Sequence, residues 1–192
     1  MGRSGLCPQS RSSLKGPRLG PERLSNRPPG EMRLTESEAI MVVTGKSPLP
    51  VFYLAMTHEA LGDASQALDL YRQADSLSPE KSPQSASILV AYGRFLFSMG
   101  RYSDSIEKDR RAIAGDAESR DAHYELAKGL DQEGDFKDAA LEGERALTLP
   151  VFGTSDAQVH FLLASLYLKL KQPDLAKAHL EKFRAAPQTT RR

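Results

Sequence analysis

Four histidines, His58, His123, His160 and His179, are the side chains best suited to bind metal or move protons near neutral pH. Their spacing favours neither role. His58 is followed by Glu59, but no second histidine stands where a helical zinc site needs one. His123 and His160 fall at equivalent points of an internal repeat, where an apolar or aromatic side chain is expected, and read as partly buried packing residues. The only cysteine, Cys7, excludes an intramolecular disulfide and a thiolate zinc cluster. The glycines stop helices and do not open a phosphate loop, and no serine has the strand–turn–helix context of a nucleophile elbow. Carboxylate pairs such as Asp135 and Asp138 stand at helix starts, where they complement the helix dipole. The residues therefore predict a non-catalytic chain that needs no cofactor and no metal.

The elements that carry these residues repeat. Four short turns align: Leu61-Gly62-Asp63, Met99-Gly100-Arg101, Glu133-Gly134-Asp135 and Leu170-Lys171-Gln172. Each separates two amphipathic stretches, and the first three offer glycine where a helix end wants a left-handed residue. Lys171 departs from this, but Pro173 still forces a restart. Seven residues before each turn centre stand Ala55, Gly93, Ala127 and Ala164. Five after it stand Ala67, Ser105, Ala139 and Ala176, and twelve after it Ala74, Ala112, Ala146 and Phe183. Eight before it stand the larger Leu54, Tyr92, Leu126 and Leu163. Small residues at fixed offsets let paired antiparallel helices approach closely, and large neighbours fill the space between layers.

This pattern resembles the tetratricopeptide repeat, a helix–turn–helix unit, in Leu54-Ala55, Gly62, Ala67, Tyr71, Ala74 and Pro79 of the first unit. Tyr92-Gly93, Gly100, Tyr102 and Ala112 match in the second, Leu126-Ala127, Gly134, Phe136, Ala139 and Ala146 in the third, and Leu163-Ala164, Tyr167, Ala176 and Leu180 in the fourth. His58, Ser105, Asp109 and Phe183 depart from it. The resemblance covers residues 48–187, in units near 48–81, 86–119, 120–153 and 157–187, with loop insertions at Ser82–Ala86 and Val151–Asp156. It implies an all-α, right-handed α-solenoid of four helix pairs, with the first helix of each pair lining a concave groove.

Sites 13, 10, 6 and 3 residues before each turn share one helix face, and the family places ligands there. Phe52, Val90, Tyr124 and Phe161 are equivalent and would form an apolar stripe. Arg94 and Lys128 are equivalent in adjacent units and would form a basic pair, with Met56 and Phe97 beside them. Such a surface suits a protein or peptide partner carrying an acidic group: apolar contacts supply burial and cations fix register. On the competing reading the stripe fills a tight interior, and the cations pair with Glu59, Asp131 or Glu125. The Lys and Asn with which some members grip acidic chaperone tails are missing, since Phe52 and Met56 stand at the matching sites of the first unit.

Composition bounds the rest. The 192 residues carry 26 basic and 25 acidic side chains, a net charge of +1, with 40% apolar residues to build a core. Residues 1–33 hold seven basic and two acidic side chains, and the first aromatic residue is Phe52. A segment so poor in large apolar groups is expected to be a disordered basic tail. Thr35 and Glu38 have capping-box spacing before an apolar run ending at Gly45, so a capping helix is expected within 34–47. The acidic repeat body disfavours nucleic acid, and no run is apolar enough for membrane insertion. Without a secretory signal the default compartment is the cytoplasm. Residues 188–192 form a second short tail. The alternative function is self-association, as a homodimer, through an uncapped last helix that leaves Leu180 and Phe183 partly exposed.

Overall fold

A computed structural model describes residues 47–79 and 81–186. The expected tails and the helix capped by Thr35 lie outside the described residues. These fold into helices alone: α1 (Pro48–Ala60), α2 (Ala64–Leu77), α3 (Pro83–Ser98), α4 (Tyr102–Gly115), α5 (Arg120–Glu133), α6 (Phe136–Leu147), α7 (Asp156–Lys169) and α8 (Pro173–Ala185). Each odd-numbered helix pairs with the next, and each pair packs on the one before it. The result is an all-α solenoid of four tetratricopeptide-like pairs.

Local chemistry sets the boundaries. The Gln66 backbone N–H donates to the Asp63 side chain at 3.2 Å, capping α2. Ser155 and Gln158 form a reciprocal capping box on α7. Gly134 ends α5 at φ +90°, and Lys171 takes the equivalent left-handed conformation at φ +58° despite its side chain. The expected loop at Ser82–Ala86 differs in the structure. Ser82 caps α3 by accepting from the Ser85 N–H at 3.1 Å, and Pro83 opens the first turn. Proline at a first helical position forfeits no hydrogen bond, so the segment winds into helix.

Ala55, Ala67, Ala74, Ala112, Ala127, Ala139 and Ala146 are wholly buried, as close helix pairing requires. Contact between successive pairs has its own register. At the first and third junctions the residue eight before a turn packs on the residue nine after the preceding turn. Tyr92 stacks on Tyr71 with ring centroids 5.3 Å apart and planes 2° from parallel, worth about 0.5–1.5 kcal/mol beyond burial. Leu163 lies against Gly143, where a Cβ would stand 2.8 Å from the leucine. At the junction of the second and third pairs Leu126 clusters with Ile106 of α4, and a Cβ at Gly129 would stand 2.7 Å from Ile106.

Candidate functional site

The sites predicted for ligand contact divide by burial. Phe52 and Val90 are buried, Phe97, Tyr124 and Lys128 are half-buried, and Met56, Arg94 and Phe161 are exposed. Phe52 tilts against Tyr71 at 6.2 Å and belongs to the core spanning the first two pairs. Val90 packs with Leu89, Ala112 and Ala122. The inner half of the apolar stripe is therefore core, and its outer half, Tyr124 and Phe161, is reachable from solvent. Phe161 lies 5.4 Å from Phe183 of α8.

The two cations also differ. Lys128 Nζ donates to Glu125 Oε2 at 2.5 Å and stands 4.6 Å above the Phe97 ring and 5.5 Å from that of Tyr124. It bridges α3 and α5 between two aromatic faces. Arg94 makes no ion pair with any described residue. Its guanidinium acts on Asp109 and Tyr71 only through space. The nearby acids have other partners: Glu59 accepts from the Tyr71 hydroxyl at 2.6 Å, and Asp131 binds Lys169 at 2.6 Å. Burial, and then the Glu59 contact, pushes the Tyr71 hydroxyl well above its ordinary range.

Behind Arg94 lies Asp109, fully buried on α4. Its Oδ2 accepts from the Ser105 hydroxyl at 3.3 Å, and its Oδ1 has no hydrogen-bond partner among the described residues. A Cβ at Gly93 would stand 2.5 Å from that oxygen, so the carboxyl fills the crossing of α3 and α4. Burial, followed by the Glu125 charge, pushes its pKa up to about 8, against the pull of Ser105, Lys128 and Arg94. At neutral pH this acid is mostly protonated and does not neutralise Arg94.

The histidines act as packing residues with polar partners. His123 is 6% exposed, with Nδ1 2.6 Å from Glu142 Oε2. The sequence reading missed that His160 and His179 meet, Nδ1 to Nδ1 at 3.1 Å, while Glu144 holds His179 Nε2 at 3.1 Å. The signal was present: both pairs lie nineteen residues apart, at one equivalent position of units three and four. Burial lowers the pKa of both His160 and His179. Among the described residues no group of three or more His, Cys, Asp or Glu is placed to hold a metal ion, and no helix is long and apolar enough to cross a membrane.

Comparisons with known proteins agree with this architecture. The tetratricopeptide repeat family model matches residues 53–81 and 157–183. No curated protein matches by sequence. Among solved structures, a crystal structure of MamA is similar at a TM-score of 0.65 and 18% identity, covering 77% of this chain and 82% of that one. MamA from Desulfovibrio magneticus RS-1 gives 0.66 at 15% identity, covering 79% and 82%. YrrB, described as a TPR protein with an unusual peptide-binding site, gives 0.63 at 13% identity, covering 78% and 73%. At these identities the likeness is one of fold. With the family model matching at both ends of the array and the same fold between them, tetratricopeptide repeats are present at residues 53–81 and 157–183 of an all-α solenoid.

Proposed function

We propose that this chain is a non-catalytic scaffold whose concave face binds a peptide or partner segment carrying an acidic group beside apolar side chains. The observation that carries this reading is Arg94: exposed in the middle of the face, without an ion pair among the described residues, and above an acid that is mostly neutral at pH 7. An exposed guanidinium offers a planar fork of donors to a carboxylate or phosphate. Met56, Phe97, Tyr124 and Phe161 supply apolar surface along the same face. Lys128 has a different part, since Glu125 already neutralises it; we assign it to holding Phe97 and Tyr124 in place. Phe52 and Val90 support the floor. The peptide-binding site described for YrrB is consistent with this use of the fold.

Affinity capture from native lysate with the full chain, compared with Arg94→Glu, tests the proposal. Arg94 is exposed and has no ion pair among the described residues, so its reversal is expected to leave the fold intact. Proteins retained by the unaltered chain and lost with the variant support the groove. An identical set from both baits refutes the assignment.

A further inference from the structure

The leading face of a first helix is buried against the preceding pair three times, and among the described residues each of the two kinds of surface is left open once. A first helix offers its leading face to the trough of the preceding pair. On α3, α5 and α7 that face is buried: Ile88, Ala122 and Val159, twelve before their turns, are at most 1% exposed. Tyr92, Leu126 and Leu163, eight before, are at most 4% exposed. On α1 the equivalent Pro50 and Leu54 are only half-buried, and Tyr53 beside them is 60% exposed. At the other end, the trough between α7 and α8 faces solvent. It is lined by Phe161, Ala164, Leu168, Ala176 and Leu180, with Phe161 59% and Leu168 63% exposed. Leu180 occupies the position at which Tyr71 receives Tyr92 and Gly143 receives Leu163.

We propose that copies of this chain stack head to tail, the leading face of α1 in one copy seating in the α7/α8 trough of another. Continuity with the internal contact fixes the register: Leu54 lies on Leu180 of the second copy, as Leu163 lies on Gly143, and Tyr53 covers the trough beside it. The two surfaces differ, so the contact is heterologous. It continues past two copies, into an open stack or a ring of three or more. The stack leaves Arg94, Phe97 and Tyr124 on the concave face and shares only Phe161 with the peptide reading.

Two exposed positions give a decisive test, because neither substitution disturbs a core. Leu168→Arg blocks the trough and Tyr53→Arg blocks the leading face, each placing a cation where the equivalent internal positions carry none. Sedimentation velocity of the full chain is expected to show a weight-average mass that rises with concentration past twice 21.1 kDa. Each variant alone is expected to stay at one copy, with an unchanged far-ultraviolet circular dichroism spectrum. An equimolar mixture of the two variants, which retains one good face of each kind, is expected to stop at two copies. A monomer at every concentration overturns the proposal, as it would if residues 34–47 or a different protein covered one face. So does an unaltered chain that saturates at two copies, since that signals symmetric pairing of like faces. A mixture that remains monomeric overturns it as well. Arg94→Glu, which leaves both faces intact, is expected to associate like the unaltered chain, separating this contact from ligand capture.

Discussion

Asp109 places a titrating acid at the crossing of α3 and α4, and its protonation carries a measurable cost. The carboxyl is fully buried, and its pKa is pushed up to about 8 from an ordinary value of 3.8. Between these values the folded chain holds a proton that the unfolded chain has released. Stability from this group is therefore complete below about pH 4 and is lost as pH rises to about 8, at roughly 1.4 kcal/mol per pH unit. Other carboxylates work the opposite way, so the test is a difference between two proteins. Asp109→Asn keeps the shape of the protonated acid and cannot ionise. Urea unfolding from pH 5 to 9 is expected to show the variant gaining on the unaltered chain by about 1.4 kcal/mol per unit up to about pH 8, then levelling. The accumulated gain at pH 7 is on the order of a few kcal/mol, a large share of a small domain's stability. A difference that does not change with pH would refute the assignment of a buried, protonated Asp109.

Other consequences concern packing and titration elsewhere in the array. The His160–His179 pair faces Glu144 on α6, Asp156 on α7 and Lys182 on α8, and both folded pKa values are lowered. On acidification the unfolded chain takes up protons first, so the melting temperature should fall from about pH 6.5 downward. The drop should shrink in His160→Gln, and equal pH profiles would contradict it. Ala139 is fully buried between α5 and α6. Ala139→Leu should cost roughly 1–3 kcal/mol by overpacking, and an unchanged melting temperature would place that alanine on a different face. Lys171 holds φ +58° at the turn where the other three units have glycine. Lys171→Gly should stabilise by about 0.5–1 kcal/mol in chemical denaturation, the strain relieved exceeding the entropy that glycine adds to the unfolded chain.

The repeat was legible because close helix pairing leaves a mark that one sequence can show: small residues at three fixed offsets, with a turn former between helices. Helical spacing alone groups Arg94 with Phe97 and Lys128 with Tyr124 on the face proposed to bind a partner. Spacing did not show how far each side chain is covered. Phe52 and Val90 lie inside because the neighbouring pair closes over them, a property of stacking rather than of periodicity. The division between Arg94 and Lys128 likewise depends on neighbours. Glu125 stands three residues before Lys128 on the same helix, whereas nothing comparable reaches Arg94. The loop expected at Ser82–Ala86 failed for a local reason, because a serine followed by proline is also a helix start. Asp109 stood out only as a departure from the repeat. Its significance came from the crossing of α3 and α4, where Gly93 leaves room for a carboxyl.

Recognition of an acidic ligand through Arg94 can be tested by selecting random peptides displayed on phage, in parallel on the full chain and on Arg94→Glu. Peptides with an acidic residue flanked by apolar ones should be enriched on the unaltered chain, and that enrichment should vanish on the variant. Enrichment of the same peptides on both proteins, or of basic peptides on the unaltered chain, would contradict the account.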